Sequence, residues 1–575
     1  MGLMTIRDAE LARPDGRTAA MPLSHRVVLA TGWRRRTIAF VAGACGALAM
    51  APVGFFPAMA VSLSVAVWLI DGAERSTTGR DGTRRHVWPS VRSAWGAGWW
   101  WGFGYFVAGL YWIGVAFLVE PDKFAWALPL GVLGLPALAA IYMGFAFAAA
   151  RAAWMPDGGR PLVLALTLAT TEWLRGILFT GFPWNDLGMA LGTNLVLAQS
   201  ASVVGLHGLT ALAVLIFAAP ATLADRRDAG VDERRGRSAL LPVLLASLAL
   251  VGMAGFGAAR LASGHVGPVP GVKLRIMQPD VFGNGEFTYE NRDALLKKYL
   301  ALSDQATSPD RSGLADVTHL IWPESPFPFI LSRDPDALAA IAAALPRDGV
   351  LITGAARVDG KPGSRSDPPH YYNSIQVIGK DGAVGDTYDK VHLVPFGEYT
   401  PFASLMDRLG ISQFVPIPGG FSFGARHRLL HVPGLPPIVP VVCYEAIFSG
   451  DVVPQTSAAL QQGAILNVSD DGWFGRTAGP YQHLAQARLR AIEQGLPLIR
   501  AANTGVSAII DPYGRILEQM PLGQAGVVDG LLPRNIAPTV FAKLDWIIPP
   551  SIACLLLTTV LLVRYGNHRR RMRMA

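Results

Sequence analysis

Charge is scarce in this sequence. Only 16% of its 575 residues are Asp, Glu, Lys or Arg, against about 25% in an ordinary soluble chain. With 51% hydrophobic residues, that shortage excludes a disordered chain, and a mean hydropathy of +0.33 points to a membrane protein with a sizeable soluble part. Cysteine is scarcer still. Three cysteines offer no disulfide framework. Cys45 and Cys554 lie inside long apolar runs, which leaves Cys443 as the candidate reactive thiol outside the bilayer. No Gly-rich phosphate loop follows a strand pattern, and no repeat or low-complexity tract is present. His319 and His483 show no metal-ligand spacing with other His, Cys or carboxylate residues. The first 30 residues lack a signal-peptide core followed by a small-residue cleavage site, so the first apolar run reads as an uncleaved anchor. A net charge of +8 raises the question of nucleic acid. The basic residues, however, sit in short clusters beside apolar runs, which favours the membrane as partner and excludes nucleic acid.

What is abundant is apolar sequence of spanning length. A membrane helix needs about 20 apolar residues. Runs near 37–54, 56–70, 95–119, 124–150, 161–181, 196–223, 240–262 and 544–563 predict eight spans, the second being short and opened by Pro57. Basic clusters occupy every second connection: Arg34–Arg36, then Arg75, Arg80, Arg84 and Arg85, then Arg151 and Arg160, then Arg226 to Arg237, and finally Arg569 to Arg573. By the positive-inside rule both ends are expected in the cytoplasm, with residues 265–540 on the external side. Trp99-Trp100-Trp101 and Tyr111-Trp112 suit an interfacial belt or a lipid-guiding surface. Glu172 and Arg175, three apart on one helix face, read as a structural pair or as part of a headgroup-binding surface.

Residues 265–540 have another texture. Short β-rich runs recur at Val272–Met277, Thr318–Trp322, Gly349–Ala355, Ser374–Ile378, Ile438–Cys443, Ala464–Val468, Leu498–Ala501 and Ser507–Ile510. Helical patterns fall between some of them, at Glu290–Leu302, Asp336–Ala344, Val452–Gln462 and Pro480–Gln494. Turn signals at Asp381-Gly382 and Asp511-Pro512-Tyr513-Gly514 separate strands, and 360–370 reads as an exposed loop. Alternating strands and helices predict an α/β domain.

Three residues there can carry chemistry. Cys443 ends an apolar strand, where it is either a core cysteine or a nucleophile. A free thiol ionises near pH ~8.5, so a nucleophile would need a base or a cation beside it. Glu324, in Trp322-Pro323-Glu324-Ser325-Pro326, is either a loop glutamate or a general base raised by partial desolvation. Lys390, in Tyr388-Asp389-Lys390-Val391-His392-Leu393-Val394-Pro395-Phe396-Gly397-Glu398, is either a surface lysine or an oxyanion donor, with Glu398 able to hold it charged. His392 reads as a packing histidine.

Glu324, Lys390 and Cys443 stand in the chain order of the Glu-Lys-Cys set of the nitrilase superfamily. Their contexts resemble its membrane-bound branch, the apolipoprotein N-acyltransferases. The resemblance is carried by Pro323-Glu324-Ser325, Tyr388 through Tyr399 and Cys443-Tyr444-Glu445. It continues in Gln482-His483, Ala487-Arg488-Leu489-Arg490-Ala491-Ile492-Glu493 and Arg500-Ala501-Ala502-Asn503-Thr504-Gly505. In the membrane part Glu172-Trp173-Leu174-Arg175-Gly176 and Gly181-Phe182-Pro183-Trp184 resemble the same family. It implies a multi-pass α-helical membrane domain of about eight spans plus an α/β nitrilase-like αββα sandwich. The expected segments are a cytoplasmic stretch 1–36, membrane helices 37–264, a periplasmic catalytic domain 265–540, and a last helix with a basic tail 541–575.

The resemblance further implies transfer of a fatty acyl chain from a phospholipid, typically phosphatidylethanolamine, to the α-amino group of a lipoprotein's diacylglyceryl-cysteine. The setting would be the bacterial inner membrane, and the enzyme a monomer without cofactor or metal. In it Cys443 is the nucleophile, Glu324 the general base and later acid, and Lys390 the oxyanion stabiliser. Glu398 supports the lysine, and Tyr444 and Glu445 shape the pocket. Two stretches depart from the family pattern. Phe287 stands where an Asn-Ile-Pro-Gln…Lys-Trp stretch carries tryptophan, and Asn467-Val468-Ser469-Asp470-Asp471-Gly472-Trp473-Phe474-Gly475 has Asp470 where asparagine is usual. Phe287 and Trp473 are the candidate substrate-binding residues. A membrane-anchored nitrilase-type hydrolase, giving the acyl group to water, is the alternative, and a catalytically dead scaffold or transporter is a third reading.

Overall fold

The computed structural model describes residues 21–73, 87–155, 158–228, 233–281, 287–309, 313–360, 369–408, 413–415, 417, 419–454 and 463–574. Several expectations lie wholly or partly outside these residues: the basic loop at Arg75–Arg85, the loop 360–370, much of the helix Val452–Gln462, and Phe282–Glu286.

Among the described residues six helices are long and apolar enough to cross a membrane: Trp88–Leu118, Pro121–Ala152, Arg160–Thr180, Ala201–Asp225, Ala239–Ser263 and Ile548–Gly566. The other two expected spans are the 15-residue helices Gly32–Gly46 and Pro57–Asp71. At 1.5 Å per residue each covers only ~22 Å. Arg34–Arg36 take up the start of the first, and the turn around Met50–Gly54 separates it from the second. Both pack into the bundle. Gly43 and Gly104 allow the closest approach: a Cβ on Gly43 would lie 1.8 Å from the Trp101 carbonyl oxygen, and one on Gly104 2.0 Å from that of Phe40.

Polar side chains fasten the bundle. Arg160 pairs with Asp71 at 2.7 Å and also with Asp225, tying three segments together. Glu172 and Arg175 form a fully buried pair at 2.6 Å. Arg175 also donates to the carbonyls of Phe182 and Trp184, so the pair secures the turn that follows its own helix. The aromatic runs only partly form a belt. Tyr111 is exposed, but Trp101 and Trp112 are buried because their indole N–H groups find partners inside, Ser62 Oγ at 3.1 Å and Gln482 Oε1 at 3.1 Å.

Beyond Ser263 the chain builds two sheets. One has six strands in the order β11-β1-β2-β3-β4-β5: β1 Pro268–Gln278, β2 His319–Trp322, β3 Val350–Asp359, β4 His370–Ile378, β5 Val384–Asp389 and β11 Gly526–Pro533. The other has five in the order β10-β9-β8-β7-β6: β6 Ile438–Val442, β7 Ala464–Ser469, β8 Leu498–Ala502, β9 Ser507–Ile510 and β10 Ile516–Met520. β1, β2 and β3 run parallel, as do β6, β7 and β8.

The two-residue period of each strand sorts its side chains between layers. Leu274, Ile276, Ile321, Ile352 and Val377 of the first sheet meet Ile438, Val442, Leu466 and Val468 of the second in a central core. On the outer face of the first sheet Leu320, Trp322 and Leu351 pack on Leu295, Tyr299, Ala337 and Ile341 of the helices Arg292–Ser303 and Pro335–Ala344. On the outer face of the second, Val439, Val441 and Ile465 pack on Leu484, Ala487 and Ala491 of the helix Gly479–Gln494. The result is the expected αββα sandwich. All eight expected strands are present, while β5, β10 and β11 are additional.

Candidate active site

Parallel strands aligned in one direction bring their carboxyl ends to one edge, and there the three candidate residues sit. Glu324 lies two residues past β2, Lys390 directly after β5, and Cys443 directly after β6. The Glu324 turn lies flat on β3, because a Cβ on Gly354 would fall 2.6 Å from the Glu324 Cα. Cys443 takes φ +48°, a left-handed conformation uncommon for a side chain other than Asn or Asp, at the point where the strand turns into a short helical turn.

All three are buried. Lys390 Nζ lies 2.9 Å from Glu398 and 3.6 Å from Glu324 Oε1. Asn373 bridges the two carboxylates, its Nδ2 donating to Glu324 Oε1 and to Glu398 Oε1, each at 2.7 Å. The other oxygen of Glu324 accepts from the Asp470 backbone N–H at 2.8 Å. That of Glu398 accepts from the Val394 N–H at 2.8 Å.

Burial raises the Glu324 carboxyl above its ordinary range, and the attraction of Lys390 only partly offsets this. Burial also works against the Lys390 cation, but Glu398 and then Glu324 outweigh it and hold the ammonium well above the usual lysine value. Burial and the Glu324 charge push the Cys443 thiol well above its usual value, against the pull of Lys390. The resting site therefore holds a protonated thiol, a firmly charged ammonium and a carboxyl inclined to take a proton.

Neighbouring residues fix this arrangement. Glu445 accepts from Tyr388 Oη and from the backbone N–H groups of Val391, His392 and Val442, all within 3.0 Å. One carboxylate thus clamps the Lys390 segment to the Cys443 strand. Tyr444 Oη donates to the Gly181 carbonyl at 2.9 Å, which joins the Cys443 turn to the turn after a membrane helix. His392 packs as expected, stacked at 3.8 Å on Phe448. Trp473 is half-buried, its ring 6.1 Å from Phe414. Phe414 in turn packs on Phe117 and Phe124. Phe287 is 46% exposed and joins none of the described hydrophobic clusters. Burial and the charge of Glu324 push Asp470 up to about 7.

Sequence reasoning gave no role to Asn373, Asp471 or Arg500. Asp471 and Arg500 stand in stretches compared with the family, and the further signal, the only one for Asn373, is a polar residue inside or beside an apolar strand. Asp471 accepts from Ser469 Oγ at 2.7 Å and from Arg500 Nη2 at 2.6 Å. Burial would raise its carboxyl, but Arg500 and His483 hold it well below the ordinary range. Cys443, Asp471 and His483 offer ligand atoms within 4.8 Å of one another. Both ring nitrogens of His483 are already engaged, with Asp471 and with the Cys443 carbonyl oxygen, so the set works as a hydrogen-bonded network. Replacing Arg500 by methionine is expected to leave the buried Asp471 charge without its guanidinium partner. The predicted cost is ~3–5 kcal/mol, read as a lowered Tm of the detergent-purified protein.

Comparisons with known proteins bear on both parts of the chain. The family model for the apolipoprotein N-acyltransferase N-terminal domain matches residues 42–219, and that for carbon-nitrogen hydrolase matches residues 287–537. An apolipoprotein N-acyltransferase of Rhodopseudomonas palustris is 48% identical over 93% of this chain and 96% of its own length. One of Bradyrhizobium diazoefficiens is 47% identical over 94% of this chain and 96% of its own. A crystal structure of an amidase from Nesterenkonia sp. matches at 19% identity, covering 48% of this chain and 94% of that one, with a TM-score of 0.31. Both halves of the chain, the helical and the sheet-built, are accounted for by one family of membrane enzymes: the chain belongs to the apolipoprotein N-acyltransferases.

Proposed function

We propose that the protein transfers a fatty acyl chain from a phospholipid, typically phosphatidylethanolamine, to the α-amino group of a lipoprotein's diacylglyceryl-cysteine. The observation that carries this reading is the joint burial of Glu324, Lys390 and Cys443 in one charge-coupled cluster, tied through Tyr444 to a turn of the membrane part.

In the first half-reaction Glu324 takes the Sγ proton and the thiolate attacks the ester carbonyl carbon. The Lys390 ammonium stabilises the tetrahedral oxyanion. The intermediate collapses, the C–O bond breaks, and Glu324 returns the proton to the departing lysophospholipid oxygen. A thioester remains on Cys443. In the second half-reaction the acceptor amine attacks the thioester carbonyl, Glu324 removes the amine proton, and the sulfur leaves to be reprotonated. Two moderate barriers replace one high barrier, which is the logic of covalent catalysis, and ping-pong kinetics follow. Glu398 keeps Lys390 charged, Glu445 and Tyr444 shape the pocket, and Phe287 and Trp473 contact substrate.

The reading places residues 265–540 in the periplasm as the catalytic domain and both ends of the chain in the cytoplasm. The enzyme is then a monomer in the bacterial inner membrane. Incubation of the purified protein with acyl-labelled phosphatidylethanolamine and a diacylglyceryl-cysteine peptide tests it. Label is expected in an amide on the peptide. Label released only as free fatty acid would instead mark a hydrolase.

A further inference from the structure

The left-handed backbone of Cys443 is costly and needs something to hold it. His483 is in contact with it. Its Nε2 lies 3.0 Å from the Cys443 carbonyl oxygen. Its Nδ1 lies 2.8 Å from Asp471 Oδ1 and 3.1 Å from Arg500 Nη2.

A carbonyl only accepts, so Nε2 carries a proton and donates it to Cys443, while Nδ1 faces the Asp471 carboxylate. Burial and the Arg500 charge hold the imidazole below its usual range, against the pull of Asp471, and in either charge state Nε2–H remains the donor to Cys443. Asp471 is itself fixed by Ser469 and Arg500. The four side chains Ser469, Asp471, His483 and Arg500 are wholly buried.

The residue before His483 faces the membrane part. Gln482 Oε1 accepts from Trp184 Nε1 at 2.9 Å and from Trp112 Nε1 at 3.1 Å. Its Nε2 donates to the Gly109 carbonyl at 3.2 Å. Adjacent residues in the first turn of one helix thus grip the membrane bundle and the nucleophile's backbone.

We propose that His483 is a positioning residue for Cys443, its Nε2–H holding the carbonyl so that Sγ faces Glu324 and Lys390, and that Gln482 couples this hold to the membrane helices. The proposal rests on Cys443 being the nucleophile. In isosteric terms a glutamine at 483 sets its amide nitrogen where Nε2 stands, and an asparagine sets its own where Nδ1 stands. His483→Gln therefore keeps the donor to Cys443, and His483→Asn keeps only the side facing Asp471.

The experiment measures the first-turnover release of lysophospholipid from phosphatidylethanolamine without acceptor, using monodisperse full-length protein in detergent. H483Q is expected to stay close to wild type. H483N is expected to be slower by about 10²-fold, the order associated with a misplacement of ~1 Å. The phospholipid concentration at half-maximal rate should be unchanged in both, since His483 touches backbone. H483N as fast as wild type, or H483Q as slow as H483N, overturns the proposal. Cys443→Ala serves as the control. An adduct that survives in it removes the underlying reading. An adduct lost in it but formed normally by both His483 variants removes the positioning role alone.

Discussion

Replacing Cys443 by alanine is expected to eliminate the acyl adduct that accumulates when phosphatidylethanolamine is supplied without acceptor. In the wild-type chain intact mass analysis should find one added acyl group. Hydroxylamine should remove it, as it cleaves a thioester, and peptide mapping should place it on Cys443. The variant should carry none, because Cys45 and Cys554 lie in the helices Gly32–Gly46 and Ile548–Met574, outside the sheet-built part that carries Glu324 and Lys390. The substitution removes a single buried atom, and the Glu445 clamp and the His483 contact use backbone groups that alanine retains. The expected change in fold is therefore small and the expected change in chemistry complete. A hydroxylamine-sensitive adduct persisting in C443A would end the case for this sulfur as nucleophile.

How much of this could be read from the chain varies with the physics of each element. Strands with two buried faces, such as β6, are continuous apolar runs and were legible. β10 was not, because its Glu518 and Gln519 face solvent and break the pattern. β5 and β11 carry Asp386, Asp389 and Asp529, whose partners Arg428, Arg357 and Arg275 come from other elements. Hydropathy found the six long membrane helices, and its run 37–54 extends past Gly46, where the helix ends, because composition does not show where a turn ends a helix.

Glu324, Lys390 and Cys443 were legible through the words around them. Asn373, Asp471 and Arg500 were not, since their importance lies in contacts between strands that sequence spacing does not encode. Glu445 is an intermediate case: its place beside Cys443 was visible, but its clamp on Val391 and His392 exists only once β5 and β6 are brought together.

Lys390 supplies the second large effect. Lys390→Met keeps most of the length of the side chain and deletes its charge, and adduct formation should fall by ~10²–10³-fold, the range found when an oxyanion donor is removed. A second signature separates charge from shape. The cation is what pulls the Glu324 carboxyl down against burial and Glu398. Without it Glu324 rises further, and because a general base must be ionised, the rise of rate with pH should move to higher pH. Stability should respond in the linked sense. An unfolded glutamate ionises near pH ~4.3, and a native carboxyl raised above that binds protons the unfolded chain has released. Its contribution is present in mild acid and is lost as pH climbs through the raised native value. The variant should thus melt at higher temperature near pH 5 than near pH 8, relative to wild type. If K390M forms the adduct at the wild-type rate, or loses activity with no displacement of the pH profile, Lys390 does not serve both the oxyanion and the charge of Glu324.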